Sequence, residues 1–124
     1  MNRFNSILFS LSFVAVAFIA CKKDKATYTE QLTAEWNSTA VKIDGVAAPS
    51  TTTMFLHLQT GDNFEIATNI TPFTHPTSGK WSADEANSKL TLSGNVWTIH
   101  HLEGNTLRIA NTVDGKEMEI DLNK

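Results

Sequence analysis

The run Thr53-Met54-Phe55-Leu56-His57-Leu58-Gln59, followed by Thr60-Gly61-Asp62 and then Asn63-Phe64-Glu65-Ile66-Ala67-Thr68-Asn69-Ile70, decides the fold class. Met54, Leu56 and Leu58 alternate with Phe55, His57 and Gln59, and beyond the turn Phe64, Ile66 and Ile70 share one phase with Thr68. Successive side chains of a strand point to opposite faces, so this alternation gives each segment one apolar face. Gly61-Asp62 between them supplies the turn of a hairpin.

The same period of two recurs on either side, and from residue 32 onward no stretch carries a helical period. Residues 33–43 read as the first strand, ending at Asp44-Gly45, and 46–50 as a loop containing Pro49. Residues 71–79, with Pro72 and Pro76, break the alternation and form the longest irregular segment. Strands follow at 80–83, 89–93, 96–102, 107–111 and 116–122, separated by polar or Gly-containing turns. Leu90 and Leu92, Leu107 and Ile109, and Met118, Ile120 and Leu122 supply their inward faces. In Val96-Trp97-Thr98-Ile99 both phases are apolar, which leaves the face of Trp97 open. Sixteen Thr residues beyond residue 20 suit a pleated surface. The expectation is an all-β domain, a single small eight-stranded antiparallel up-and-down barrel, because closure removes both sheet edges. A two-sheet β-sandwich is the alternative. Strands this short make a shallow barrel that its own side chains can fill.

The N-terminus reads as an address. Fourteen of the first 20 residues are hydrophobic, and Arg3 is the only charge before the apolar run. That order is a secretory signal peptide, and its apolar run of about fifteen residues would span only ~22 Å as a helix, short of the ~30 Å hydrocarbon core. Ala20 stands directly before Cys21, the only cysteine, and the pair resembles the lipobox of bacterial lipoproteins, with Phe18 where Leu, Val or Ile is usual. The resemblance implies removal of 1–20, lipid attachment at Cys21 and a membrane anchor through that lipid. Residues 21–31, with Lys22-Lys23-Asp24-Lys25, then read as a polar linker and 32–124 as the barrel domain. Asp24 is not beside the cysteine, a pattern that resembles lipoproteins sent to the outer membrane. Periplasmic and surface faces both stay open.

Two short motifs carry a further resemblance. Gly79-Lys80-Trp81 followed by Lys89-Leu90-Thr91-Leu92, and Ala34-Glu35-Trp36 as a version of the first Gly-x-Trp without its glycine, resemble the small lipocalin-like (calycin-type) lipoproteins of Gram-negative bacteria. The resemblance implies a calycin-like barrel and binding of a small apolar or amphipathic ligand, with no particular ligand specified.

Composition and spacing narrow the function classes. Thirteen acids against ten bases give a net charge of -3, and no run of Lys and Arg exceeds two, which argues against nucleic acid as a partner. One thiol excludes an internal disulfide framework and a multi-cysteine metal site. Of the four histidines, adjacent His100 and His101 would point to opposite faces of a regular strand, His57 lies in the outward phase, and His75 sits in the Pro-rich segment. No metal site, cofactor or catalytic constellation is expected, and Asp114, Glu117, Glu119 and Asp121 read as a solvated surface. Two functions compete. One is a tethered binding module whose apolar ligand enters beside 71–79 and touches Trp36, Phe73 or Trp81. The other is a non-enzymatic structural or protein/glycan-interaction module of the cell envelope with a filled barrel. For Trp36 and Trp81 the packing role weighs more, since a tryptophan early in a barrel strand plugs its end.

Overall fold

The computed structural model describes residues 27–124, so the expected signal peptide at 1–20, the expected lipid attachment at Cys21 and the first half of the expected linker lie outside the described residues. One short helix, α1 (Tyr28–Leu32), precedes nine strands: β1 (Ala34–Ile43), β2 (Val46–Ala47), β3 (Met54–Leu58), β4 (Asn63–Thr68), β5 (Ser78–Asp84), β6 (Lys89–Leu92), β7 (Asn95–Glu103), β8 (Thr106–Val113) and β9 (Lys116–Asn123). Met54, Leu56 and Leu58 are buried in β3 and Phe64 and Ile66 in β4, as the alternation requires. All neighbouring strands are antiparallel, and β1 also pairs with β9 from Asn37↔Asn123 to Ile43↔Met118. That last ladder closes eight strands into an up-and-down barrel and excludes the two-sheet sandwich.

Two expected boundaries shift. Residues 46–50 are not all loop: Val46 and Ala47 form β2, paired with Ile43 and Lys42. The cause is Asp44-Gly45, whose φ of 52° and 80° make the two-residue turn that matches the twist of a hairpin. Strand β5 starts at Ser78, inside the segment read as irregular, because Ser78 and Gly79 pair with Glu65 and Phe64. The irregular crossing is 69–77. Residues 28–31, read as linker, carry most of the helix, with Thr27 as its cap: the Thr27 side chain accepts from the Glu30 amide at 3.1 Å, and the Thr27 amide donates to Glu30 Oε1 at 2.9 Å. This reciprocal capping box satisfies orphan donors of a helix too short to persist alone.

Twenty buried apolar side chains occupy the interior, including Trp36, Trp81 and Trp97, and no polar residue is buried among the described residues. All the residues expected to face inward on β3, β4, β6, β8 and β9 do so. Trp97 also faces in, while Val96 is half exposed, which resolves the ambiguous run. Each buried tryptophan removes roughly 200 Å² from water, worth about 5 kcal/mol at 25 cal/mol per Å² before entropy is charged against it.

Candidate functional site

The two ends of the barrel are built differently. At the end where β1 begins, α1 lies across the opening with Leu32 fully buried, and Trp36 Nε1 donates to the Leu32 carbonyl at 2.8 Å. Lys124 Nζ donates to the Gln31 carbonyl at 3.1 Å and stands 5.1 Å from the Trp36 ring centroid, a cation against the negative face of an aromatic. Trp81 belongs to the same end: its Nε1 donates to the Gln59 carbonyl at 3.0 Å and its amide to the Asp62 carbonyl, both in the β3–β4 turn. Burial pushes the Tyr28 phenol above its ordinary range, and Glu85 in the β5–β6 turn pushes in the same direction.

At the opposite end, 69–77 crosses from β4 to β5. Phe73 is half-buried there, 6.0 Å from the His75 ring, which meets Trp97 edge-on at 6.0 Å. The Nδ1 atom of His75 is buried and has no hydrogen-bond partner among the described residues. Of the three residues expected at a ligand, the structure therefore groups Trp36 and Trp81 at the helix end and sets Phe73 at the other, against His75. Both indole N–H groups are satisfied by protein carbonyls, and both rings are buried.

The histidine pair departs from the regular-strand expectation. Thr98 pairs with Ala110 and Ile99 with Ile109, but the next partner of Arg108 is His101, so His100 is an extra residue in β7. The bulge brings both histidines to the exposed side. Sequence alternation alone carries no sign of such an insertion. His101 Nε2 lies 2.9 Å from Thr106 Oγ1, and among the described residues no group of three or more His, Cys, Asp or Glu could hold a metal ion.

Clefts open on the outer surface of the described residues. One of about 330 Å³ is lined by Thr39, His101 and the ion pair of Arg108 with Asp121, whose carboxylate holds the guanidinium charged beyond its already high range. Another, of about 220 Å³, is lined by Lys42, His100, Glu117 and Glu119. A third, of about 420 Å³, lies where β1 parts from β3 and contains Asn37, Ser38, Thr53, Phe55, Ala67 and Asn69. It was not among the expected sites. Its one sequence signal is Phe55, an aromatic in the polar phase of its strand.

No protein family, curated protein or solved structure matches the chain. The architecture itself is a closed eight-stranded antiparallel barrel, compatible with a lipocalin-like fold. No helix among the described residues is long and apolar enough to cross a membrane.

Proposed function

We propose that the protein is a non-enzymatic module of the bacterial cell envelope, a lipocalin-like lipoprotein held at the outer membrane by acyl chains on Cys21, whose barrel is a filled scaffold and whose outer surface meets another molecule. The observation that carries the filled-scaffold reading is the interior: twenty buried apolar side chains, three of them tryptophan, with α1 across one end and 69–77 across the other. A small ligand would have to displace side chains that already exclude water. Lipid attachment rests on the Ala20-Cys21 junction, and two or three acyl chains at ~0.8 kcal/mol per buried methylene make such an anchor effectively permanent.

One observation favours the apolar-ligand reading instead. The unpartnered His75 Nδ1 is a buried polar atom whose cost, about 1 to 3 kcal/mol, would be relieved if 69–77 lifted and let water reach it. Lifting would uncover Phe73 and Trp97. Titration with fluorescent fatty-acid and retinoid-like probes separates the two. The scaffold reading expects unchanged tryptophan emission at saturating probe; quenching that weakens in Phe73→Ala would replace it with the binding module. For the anchor, intact mass of protein purified from membranes should show Cys21 as the acylated first residue, and a Cys21→Ala variant that stays membrane-bound would refute it.

A further inference from the structure

The cleft beside Phe55 differs from the other two in one respect: none of its eight lining residues, Met54 and Thr68 included, is ionisable. The other two hold the Arg108–Asp121 pair and the Lys42, Glu117 and Glu119 charges. We infer that this cleft binds a neutral oligosaccharide, with the Phe55 ring as the platform for a sugar face and Asn37, Ser38 and Thr53 as hydrogen-bonding partners of its hydroxyls. The inference rests on the reading that the barrel acts through its outer surface.

Register explains why the cleft exists. Phe55 is flanked across the strands by Asn37 on β1 and Ala67 on β4, two residues too short to cover an aromatic ring. Beyond Asn37, β1 has no further partner on β3; Ser38 Oγ accepts from the Met54 amide at 2.9 Å in place of a ladder bond, and the strands part. The far wall is braced independently. Asn69 Oδ1 accepts from the Thr53 amide at 2.9 Å, Asn69 Nδ2 donates to the Thr51 carbonyl at 2.7 Å, and Thr68 Oγ1 donates to the Thr53 carbonyl at 2.7 Å. A wall fixed in advance loses little entropy when a ligand arrives.

The unused hydrogen-bonding groups point to the ligand class. The Asn37 amide and the Thr53 hydroxyl have no partner among the described residues, and Ser38, already an acceptor, keeps its proton to donate. An amide and two hydroxyls both donate and accept, as a sugar's vicinal hydroxyls require, and carry no charge to favour an anion or a cation. The ring supplies the remaining element, since its negative face attracts the polarised C–H groups of a pyranose. His57, its centroid 6.1 Å from Phe55 along the same face, extends the platform toward a second residue of a chain.

The test is an amide NMR titration of the chain from residue 21 with neutral hexasaccharides (cellohexaose, laminarihexaose, maltohexaose, hexa-N-acetylchitohexaose and mannohexaose), with polygalacturonate as the anionic control. The expected result is that at least one neutral hexasaccharide at 10 mM or below moves the Asn37, Phe55, Ala67 and Asn69 resonances while polygalacturonate does not. Affinity should then fall at least tenfold in Phe55→Ala and three- to fivefold in Asn37→Ala. Should Phe55→Ala fold poorly, Ala67→Leu keeps the ring, fills the space beside it and should abolish the shifts. Silence of these resonances across the panel, shifts only with polygalacturonate, or binding that survives both Phe55→Ala and Ala67→Leu overturns the inference. The scaffold reading fails on a different signal, the tryptophan response to apolar probes, so either can fall alone.

Discussion

Trp36 and Trp81 begin their strands in the same way, two residues after a small residue, yet the chain secures them by different means. Trp36 donates to Leu32, four residues earlier, and so ties the barrel to α1; Trp81 donates to Gln59, twenty-two residues earlier, and so ties β5 to the β3–β4 turn. The small residues differ as well. Gly79 has φ 145°, and a Cβ added there would fall 2.0 Å from Ser93 Oγ and 3.4 Å from Phe64 Cε1. Ala34 pairs with Leu58 in ordinary strand geometry and is half-buried. The glycine in Gly79-Lys80-Trp81 is thus a requirement of close approach and backbone angle, and where neither constraint applies, at Ala34-Glu35-Trp36, it has been dispensable.

The largest effects should come from removing the two rings. Trp36→Ala and Trp81→Ala should each cost about 3 to 5 kcal/mol in urea unfolding. They should differ in what loosens: hydrogen exchange in Trp36→Ala should accelerate across Tyr28–Leu32, whereas in Trp81→Ala it should accelerate around Gln59 to Asp62. Equal acceleration at both places in both variants would dissolve the contrast. Next in size is Gly79→Ala, at about 1 to 3 kcal/mol from backbone strain, with a further loss as Ser93 Oγ turns away from the Ser78 carbonyl. Repeating it in a Ser93→Ala background separates collision from strain, because only the strain survives there. Thr27→Ala, which removes the helix cap, should cost about 0.5 to 2 kcal/mol and leave the Gln59 turn untouched. Ala34→Gly should cost least, about 0.5 to 1 kcal/mol, showing that a glycine is tolerated there but not needed.

Acid should loosen the helix end. The hydrogen bond from the Thr27 amide holds the Glu30 carboxyl below its ordinary value. A depressed folded value means the stabilisation is complete above the unfolded value near ~4.3 and is lost as pH falls through the lower folded value. The Trp36 indole resonance should follow that titration. In Glu30→Gln it should not.

Much of the barrel was legible because one face of nearly every strand is buried, and a period of two then writes itself into Met54-Leu56-Leu58 or Met118-Ile120-Leu122. What escaped was local. The Thr27-x-x-Glu30 capping pattern sits in polar sequence with only Leu32 as an apolar anchor, so no periodicity announces a helix of five residues. The extra residues at Thr39 and His100 change facing without changing composition. For the site, sequence favoured packing over ligand contact for Trp36 and Trp81, but it could not tell that both sit at one end with their indole N–H groups held by carbonyls while Phe73 belongs to the other. Phe55 passed as one residue of a polar face, because the space around it depends on Asn37 and Ala67, which are adjacent only after register is set.

The position of α1 decides how the proposed anchor would orient the molecule. From the proposed acyl anchor at Cys21 to Thr27, where described structure begins, there are six residue-to-residue steps, a leash of at most about 20 Å. If Cys21 is acylated as proposed, a barrel on so short a leash would stand with its helix end toward the bilayer, with 69–77 and the exposed Val46 at the β2 tip on its distal pole. The Phe55 cleft, whose wall includes Asn69 of that same crossing, would then lie toward the pole away from the membrane, within reach of a polymer beyond it.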